Sequence, residues 1–289
     1  MQGDFRTMMD MILWIDRVAP PQLQLSGQTD LQSNSALVMT NQLLSFSRLP
    51  DALRIVVRGR DAGGGPVQAE TMLPVIVYEN RTEYAFPLKG RWRMQAMPAG
   101  GVLNHHRYGI VNEFGIDLVK LGPEGRAYEN QGRASADYFG YGEVVMAAAD
   151  GEVVATHNDA AALWSRFNPT QGESSQDFQQ RSLEDMHQAL QGDVLSWIGG
   201  NYVLLEHPGG EHSWYFHLKP KSVRVRVGDK VRQGQPIAEV GNTGDSFTVH
   251  LHFQVTDGPG FLDARSLPFQ FSDLEVPGLD TGWLVSGSK

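Results

Sequence analysis

The chain has 289 residues, 41% hydrophobic and 20% charged, with a formal net charge of −9 and no cysteine. That length holds two ordinary domains, each able to bury a core. The acidic balance argues against nucleic acid or an anionic membrane as partner, and the missing cysteines exclude disulfides, thiolate zinc sites and a cysteine nucleophile.

Residues 1–22 read as an N-terminal segment. Its apolar patch from Met11 to Ile15 is bracketed by Asp10 and Asp16, without the basic start or small-residue cleavage site of a signal peptide. No apolar run in the chain is long enough to span a bilayer, and nothing in it specifies an oligomeric state. Residues 23–98 read as a small β-sandwich-like accessory domain. Within it "LRIVVRGR" (Leu53–Arg60) alternates, "DAGGGP" (Asp61–Pro66) is a loop signal, and "TMLPVIVYEN" and "TEYAFPL" follow as strand candidates. The Pro and Gly content of Ala96–Gly101 marks a boundary, with a second domain over 99–289.

The second domain is also strand-rich. "EVVMAAADGEVVAT" (Glu143–Thr156) predicts a hairpin about Asp150-Gly151. "NYVLLEH" (Asn201–His207) and "EHSWYFHL" (Glu211–Leu218) predict another about Pro208-Gly209-Gly210, with Trp214, Phe216 and Leu218 on one face and Ser213, Tyr215 and His217 on the other. "SVRVRVGDKV" (Ser222–Val231) alternates valine with arginine, and "GQPIAEVGNTG" (Gly234–Gly244) runs between glycine turns. Phe178, Leu183, Met186, Leu190, Leu195 and Ile198 have helical spacing, which predicts a helical insertion at about 158–199 that packs on the sheet or walls a cleft. The fold class is all-β.

Nine histidines are present. His157, His187, His207 and His212 sit beside turns or in the polar insertion and read as surface residues. His105-His106, His217 and the pair in "VHLHFQV" remain. In that segment Val249, Leu251, Phe253 and Val255 share one strand face, and His250, His252 and Gln254 the other. The two imidazoles point the same way, about 6–7 Å apart. Asp117, in the otherwise apolar "FGIDLVKL" (Phe114–Leu121), needs a partner if ionised and buried: a divalent metal, an arginine or backbone amides. Catalytic zinc asks for three protein ligands and an open position for water. One imidazole of a His-x-His pair can ligate while its neighbour takes a proton, and a further donor such as His217 could steady an oxyanion. Such a site suits amide hydrolysis.

The segments "FGIDLV", "EVVMAAADGEVV", "GNYVLLEHPGGEHSWYFHL" and "VRVGDKVRQGQPIAEVGNTGDSFTVHLHF" occur in an order that resembles the lysostaphin-type zinc endopeptidases, the glycyl-glycine endopeptidase family of cell-wall hydrolases. The likeness runs from about Asn104 to Val255 and on through "DARSLPFQF" (Asp263–Phe271). It implies a groove of antiparallel β-sheet, one zinc ion per chain, and peptidoglycan cross-bridges or stem peptides as substrate. It also implies a place in the bacterial cell envelope or outside the cell. By resemblance Asp117 and His252 are zinc ligands, His250 the general base and His217 the second catalytic imidazole. Where the family carries its first His ligand, four residues before the Asp, this chain has Glu113. The first ligand is therefore expected at His106, with His105 and Glu113 as alternatives. Val249 stands where the family usually has Pro. The rival function is an inactive relative that binds cell wall or activates another hydrolase. A biotinyl- or lipoyl-carrier reading of "VGDKVRQGQPIAEV" lacks the lysine needed at the tip in "EVGNTGD".

Overall fold

The computed structural model describes residues 50–96, 106, 111–161, 172–191, 193–261, 263–274 and 284–286. The chain divides into two units between Glu79 and Asn80. In the first, Ala52–Arg60 (β1) and Pro66–Pro74 (β2) pair as an antiparallel hairpin, from Ala52 opposite Pro74 to Arg60 opposite Pro66. Asp61 closes the turn, its carboxylate accepting from the N–H groups of Gly63 and Gly65 at 2.9 and 2.8 Å, the local bonding that favours aspartate in turns. Residues 1–49, which include the N-terminal segment and the start of the expected accessory domain, lie outside the described residues. The division precedes the boundary expected at Ala96–Gly101 because Arg91–Ala96 (β3) pairs along Ile116–Lys120 (β4) inside the second unit.

The second unit continues with Val144–Met146 (β5), Gly151–His157 (β6), two helices Ser175–Gln191 (α1) and Val194–Gly199 (α2), Asn201–Glu206 (β7) and His212–Leu218 (β8). It ends with Lys230–Val231 (β9), Pro236–Glu239 (β10), Leu251–Thr256 (β11), Ser266–Leu267 (β12) and Leu284–Ser286 (β13). A nine-stranded sheet runs in the order β13-β3-β4-β11-β8-β7-β6-β9, with β12 on β11, and β10 pairs with β5 in a separate small sheet. The fold is thus all-β with a short helical insertion. Among the described residues no helix is long and apolar enough to cross a membrane.

Strand alternation builds two apolar layers. Leu118, Val203, Leu205, Tyr215, Leu251, Phe253 and Val255 enter the larger core, while Tyr202, Leu204, Trp214, Phe216 and Phe261 cluster separately. Each such side chain contributes roughly 1.5–3 kcal/mol when fully buried. Leu195 and Ile198 of the insertion pack on the smaller cluster. Asp193 caps α2 by accepting from the N–H of Ser196, and Gly200 ends it at a φ of 65°, a positive φ that glycine adopts without a Cβ clash.

Three stretches depart from the periodic reading. Asp150-Gly151 is a corner between sheets, since β5 pairs with β10 and β6 with β7 and β9. There Asp150 O accepts from His207 Nδ1 at 2.7 Å, and a Cβ on Gly151 would sit 2.6 Å from Glu206 O. "TEYAFPL" is an extended strap. Tyr84 makes an isolated bridge to Phe271, and Phe86 N–H donates to Asp273 Oδ1 at 2.7 Å. The buried Glu211 carboxylate accepts from the N–H groups of Arg81 and Thr82 and from the Tyr84 hydroxyl, each at 3.0 Å. "SVRVRVGDKV" forms strand only at β9, because Arg224 N–H donates singly to Ile237 O before the chain turns.

Candidate active site

Asp117 on β4 and His252 on β11 are direct cross-strand partners, so their side chains leave the sheet on the same face. His250 lies two residues earlier on that face, with Val249 and Leu251 turned into the core. On β8, Phe216 is the partner of His252. Regular alternation would send the next residue, His217, into the core beside Tyr215.

That alternation, which would group His217 with Ser213 and Tyr215, breaks here. Between Asn201, opposite Leu218, and Val203, opposite Tyr215, the pairing of β7 and β8 shifts register, with one extra residue on β8. His217 adopts a φ of 60° there. This bulge gives the core position to Leu218 and swings the His217 ring to 4.5 Å from that of His250. A left-handed non-glycine residue costs roughly 1–2 kcal/mol, and bulges commonly re-aim a side chain in this way.

Three imidazole nitrogens converge on one carboxylate oxygen. Asp117 Oδ1 lies 3.1 Å from His252 Nδ1, 3.3 Å from His106 Nε2 and 3.4 Å from His250 Nε2. The other nitrogen of each ring faces an oxygen acceptor. His106 Nδ1 meets Gly115 O at 3.0 Å, and His250 Nδ1 meets Thr248 O at 2.8 Å. His252 Nε2 meets Gln254 Oε1 at 2.8 Å, while Gln254 Nε2 donates to Val111 O and so fixes which way the amide points. His217 Nδ1 meets Thr243 O at 2.8 Å. A carbonyl oxygen only accepts, so in the neutral rings these outer nitrogens carry the hydrogen and the inner ones present lone pairs. Lone pairs aimed at a carboxylate repel unless a cation or proton lies among them. Donor atoms of His106, Asp117 and His252 all fall within 4.8 Å of one another. Two imidazoles and one carboxylate, with the outer ring nitrogens held by carbonyls, make a donor set that fits zinc.

Asp117 and the four imidazoles are buried. Burial would raise the Asp117 carboxyl, but where a proton lies among these groups the charge on His250, then hydrogen bonds from His106, His250 and His252, hold it well below the usual carboxylate range. Burial, then the neighbouring His252, lowers the pKa of His106. His217 is pushed well below the ordinary histidine value by burial and by His250 and His252. Burial acts to lower His250 too, yet the Asp117 carboxylate outweighs it and the net shift is upward. A cavity of about 150 Å³ opens over the group, with Gln95, Asp245, Phe247 and Thr248 also in its lining.

The structure brings His106, Asp117, His217, His250 and His252 together. Glu113 is not part of the cluster, and His105 and the side chain of His187 lie outside the described residues. His207 and His212, read as surface residues, are buried at 2% and 5% exposure, because β7 and β8 are covered on both faces. His207 bridges Asp150 O and Ser213 Oγ. Sequence reasoning missed the orienting groups: Gln254, and the carbonyls of Gly115, Thr243 and Thr248. Gln254 was visible as the third polar member of its strand face; the carbonyls left no signal.

Residues 184–263 match the model of peptidase family M23. That stretch contains His217, His250 and His252, and leaves Asp117 and His106 outside it. Over 57 residues the chain is 47% identical to "Glycyl-glycine endopeptidase ALE-1" of Staphylococcus capitis, which is 19% of this chain and 15% of that protein. It is 37% identical over 57 residues to "Peptidoglycan DD-endopeptidase ShyC" of Vibrio cholerae, 20% of this chain and 13% of that protein. The matches thus span a small part of these relatives' length. The catalytic domain of lysostaphin from Staphylococcus simulans aligns in structure over 65% of this chain and 90% of that one, at 20% identity and a TM-score of 0.31.

Proposed function

We propose, from the M23 domain that this chain carries, that it is a zinc-dependent endopeptidase that hydrolyses amide bonds in peptidoglycan cross-bridges or stem peptides, in the cell envelope or outside the cell. The observation that supports this best is the convergence of imidazole lone pairs on the buried Asp117 carboxylate. The name of the relative "Peptidoglycan DD-endopeptidase ShyC" supports the choice of peptidoglycan.

His106 through Nε2, Asp117, and His252 through Nδ1 would hold the ion. When bound, zinc lowers the pKa of a coordinated water towards about 7 and polarises a carbonyl oxygen. Thr248 O keeps the His250 ring turned so that Nε2 faces the cavity, and that nitrogen takes a proton from the attacking water. The proton held there is then available to the leaving amine. His217 Nε2 shares this wall of the cavity. With Nδ1 tied to Thr243 O, it becomes a donor only once protonated, which burial disfavours. It would donate to the developing oxyanion only in the protonated form, with a proton drawn from solvent and separate from the one that His250 passes to the leaving amine.

The test is release of soluble muropeptides from purified peptidoglycan by the full chain, followed by chromatography. Zinc-loaded protein is expected to release them, and a chelator to stop release that added zinc restores. Sedimentation with peptidoglycan but no product from zinc-loaded protein would instead favour the inactive, wall-binding relative.

A further inference from the structure

The left-handed backbone at His217 is held by two buried side chains, Thr243 and Asn201. The residue sits at the β8 bulge with a φ of 60°, a conformation that a non-glycine residue keeps only where its surroundings over-determine it. Thr243 Oγ1 donates to Leu218 O, on the residue after His217, and accepts from the N–H of Asn201, both at 2.8 Å. Asn201 Nδ2 donates to the same Leu218 O at 3.3 Å, so both lone pairs of that carbonyl are taken. Asn201 is itself fixed by Ala160, whose N–H its Oδ1 accepts at 2.8 Å and whose carbonyl receives its Nδ2 at 2.9 Å. Thr243 and Asn201 are fully buried. A Cβ on Gly200 would lie 2.3 Å from Thr243 Oγ1, which leaves the hydroxyl little room to move.

Thr243 also holds the ring, since its carbonyl accepts from His217 Nδ1 at 2.8 Å. One residue thus grips the imidazole through its main chain and the strand behind it through its side chain. The segment leading to Thr243 touches the strands of both imidazoles. Val240 bridges Leu218, Gly241 bridges His250, and a Cβ on Gly241 would lie 2.3 Å from Lys219 N. A shift of Thr243 therefore moves His217 against His250, whose ring centroid stands 4.5 Å from its own. Misplacing a reacting group by about 1 Å can cost about 100-fold in rate. Removing the Thr243 hydroxyl would take the acceptor from the buried Asn201 N–H and one of two donors from Leu218 O, and so loosen the bulge.

We propose that Thr243 is a positioning residue for His217, its hydroxyl locking the β8 bulge so that the ring keeps its hydrogen on Nδ1 and its place beside His250. This rests on the endopeptidase reading above, and the experiment separates the two. Thr243→Val removes the hydroxyl and keeps the shape, whereas Thr243→Ser keeps the hydroxyl. Long-range nitrogen–proton spectra of the histidine-labelled full chain report the tautomer, with the His217 signals identified by their loss in His217→Ala. The wild-type chain and Thr243→Ser should show one tautomer, and Thr243→Val a mixture of two. On peptidoglycan fragments, zinc-loaded Thr243→Val should lose about 10–100-fold in kcat with KM and zinc content unchanged, and Thr243→Ser should recover most of it. Should Thr243→Val not fold, Thr243→Ala, which loses the same bonds, is read in its place. A single His217 tautomer in the variant without the hydroxyl overturns the proposal. So does a loss of kcat that falls equally on Thr243→Ser or follows a fall in zinc content. A tautomer mixture in Thr243→Val, with no cleavage by the wild-type chain, would leave the positioning standing and remove the endopeptidase reading. Cleavage by the wild-type chain with one tautomer in every variant would do the reverse.

Discussion

Asp117 Oδ1 lies 3.1 Å from Nδ1 of His252, its direct partner across the β4–β11 pair. Sheet register therefore fixes two members of the cluster, and His106 arrives from outside the sheet. Asp117→Ala and His252→Ala are each expected to reduce zinc affinity more than 100-fold, since even an outer hydrogen-bond partner is worth about 10–100-fold. Competition with a chromophoric chelator measures this, and an unchanged far-UV spectrum shows that the sheet persists.

Gln254 tests the lone-pair argument separately. Its Oε1 accepts from His252 Nε2, and Val111 O holds the amide in that sense. Gln254→Leu should lower zinc affinity by about 10–100-fold, while Gln254→Glu, which keeps an acceptor there, should retain most of it.

His250 is assigned to proton transfer. His250→Ala is expected to keep stoichiometric zinc and lose about 10²–10⁴-fold in kcat on peptidoglycan fragments. Near wild-type turnover would show that another group takes the proton.

The bulge at His217 makes a prediction about stability. A residue at a φ of 60° is strained unless it is glycine. Both His217→Ala and His217→Gly should lose activity, but the glycine variant should be the more stable by about 1 kcal/mol in urea unfolding. Equal midpoints would mean that the backbone relaxes out of the left-handed region when the ring is removed.

Gly115 serves two of the imidazoles. Its carbonyl accepts from His106 Nδ1, and a Cβ there would meet His252 Cε1 at 2.8 Å and Asn112 O at 3.0 Å. Gly115→Ala should therefore weaken zinc binding about ten-fold or more with the fold intact, read by the same chelator competition.

The part of the site visible in the sequence is the part that obeys a period of two. Alternation in "VHLHFQV" put His250, His252 and Gln254 on one face, and the apolar neighbours of Asp117 marked it as a buried charge in need of a partner. His217 was read as a polar, catalytic residue but grouped on one face with Ser213 and Tyr215; a single inserted residue on β8 turns it away from them and leaves no compositional trace. The Asp150-Gly151 signal was read as a hairpin for a related reason. Local turn chemistry permits the turn, and only the distant strands β7 and β10 decide which sheet each arm joins. Gln254 carried no visible role since its orientation depends on Val111 O, 143 residues earlier in the chain.

The most direct test is a crystal of the full chain grown with zinc, with diffraction recorded on both sides of the zinc absorption edge. One anomalous peak is expected within bonding distance of His106 Nε2, an Asp117 oxygen and His252 Nδ1. A map with full occupancy of zinc elsewhere, or none within reach of Asp117 and His252, would contradict the assignment of this cluster as the metal centre.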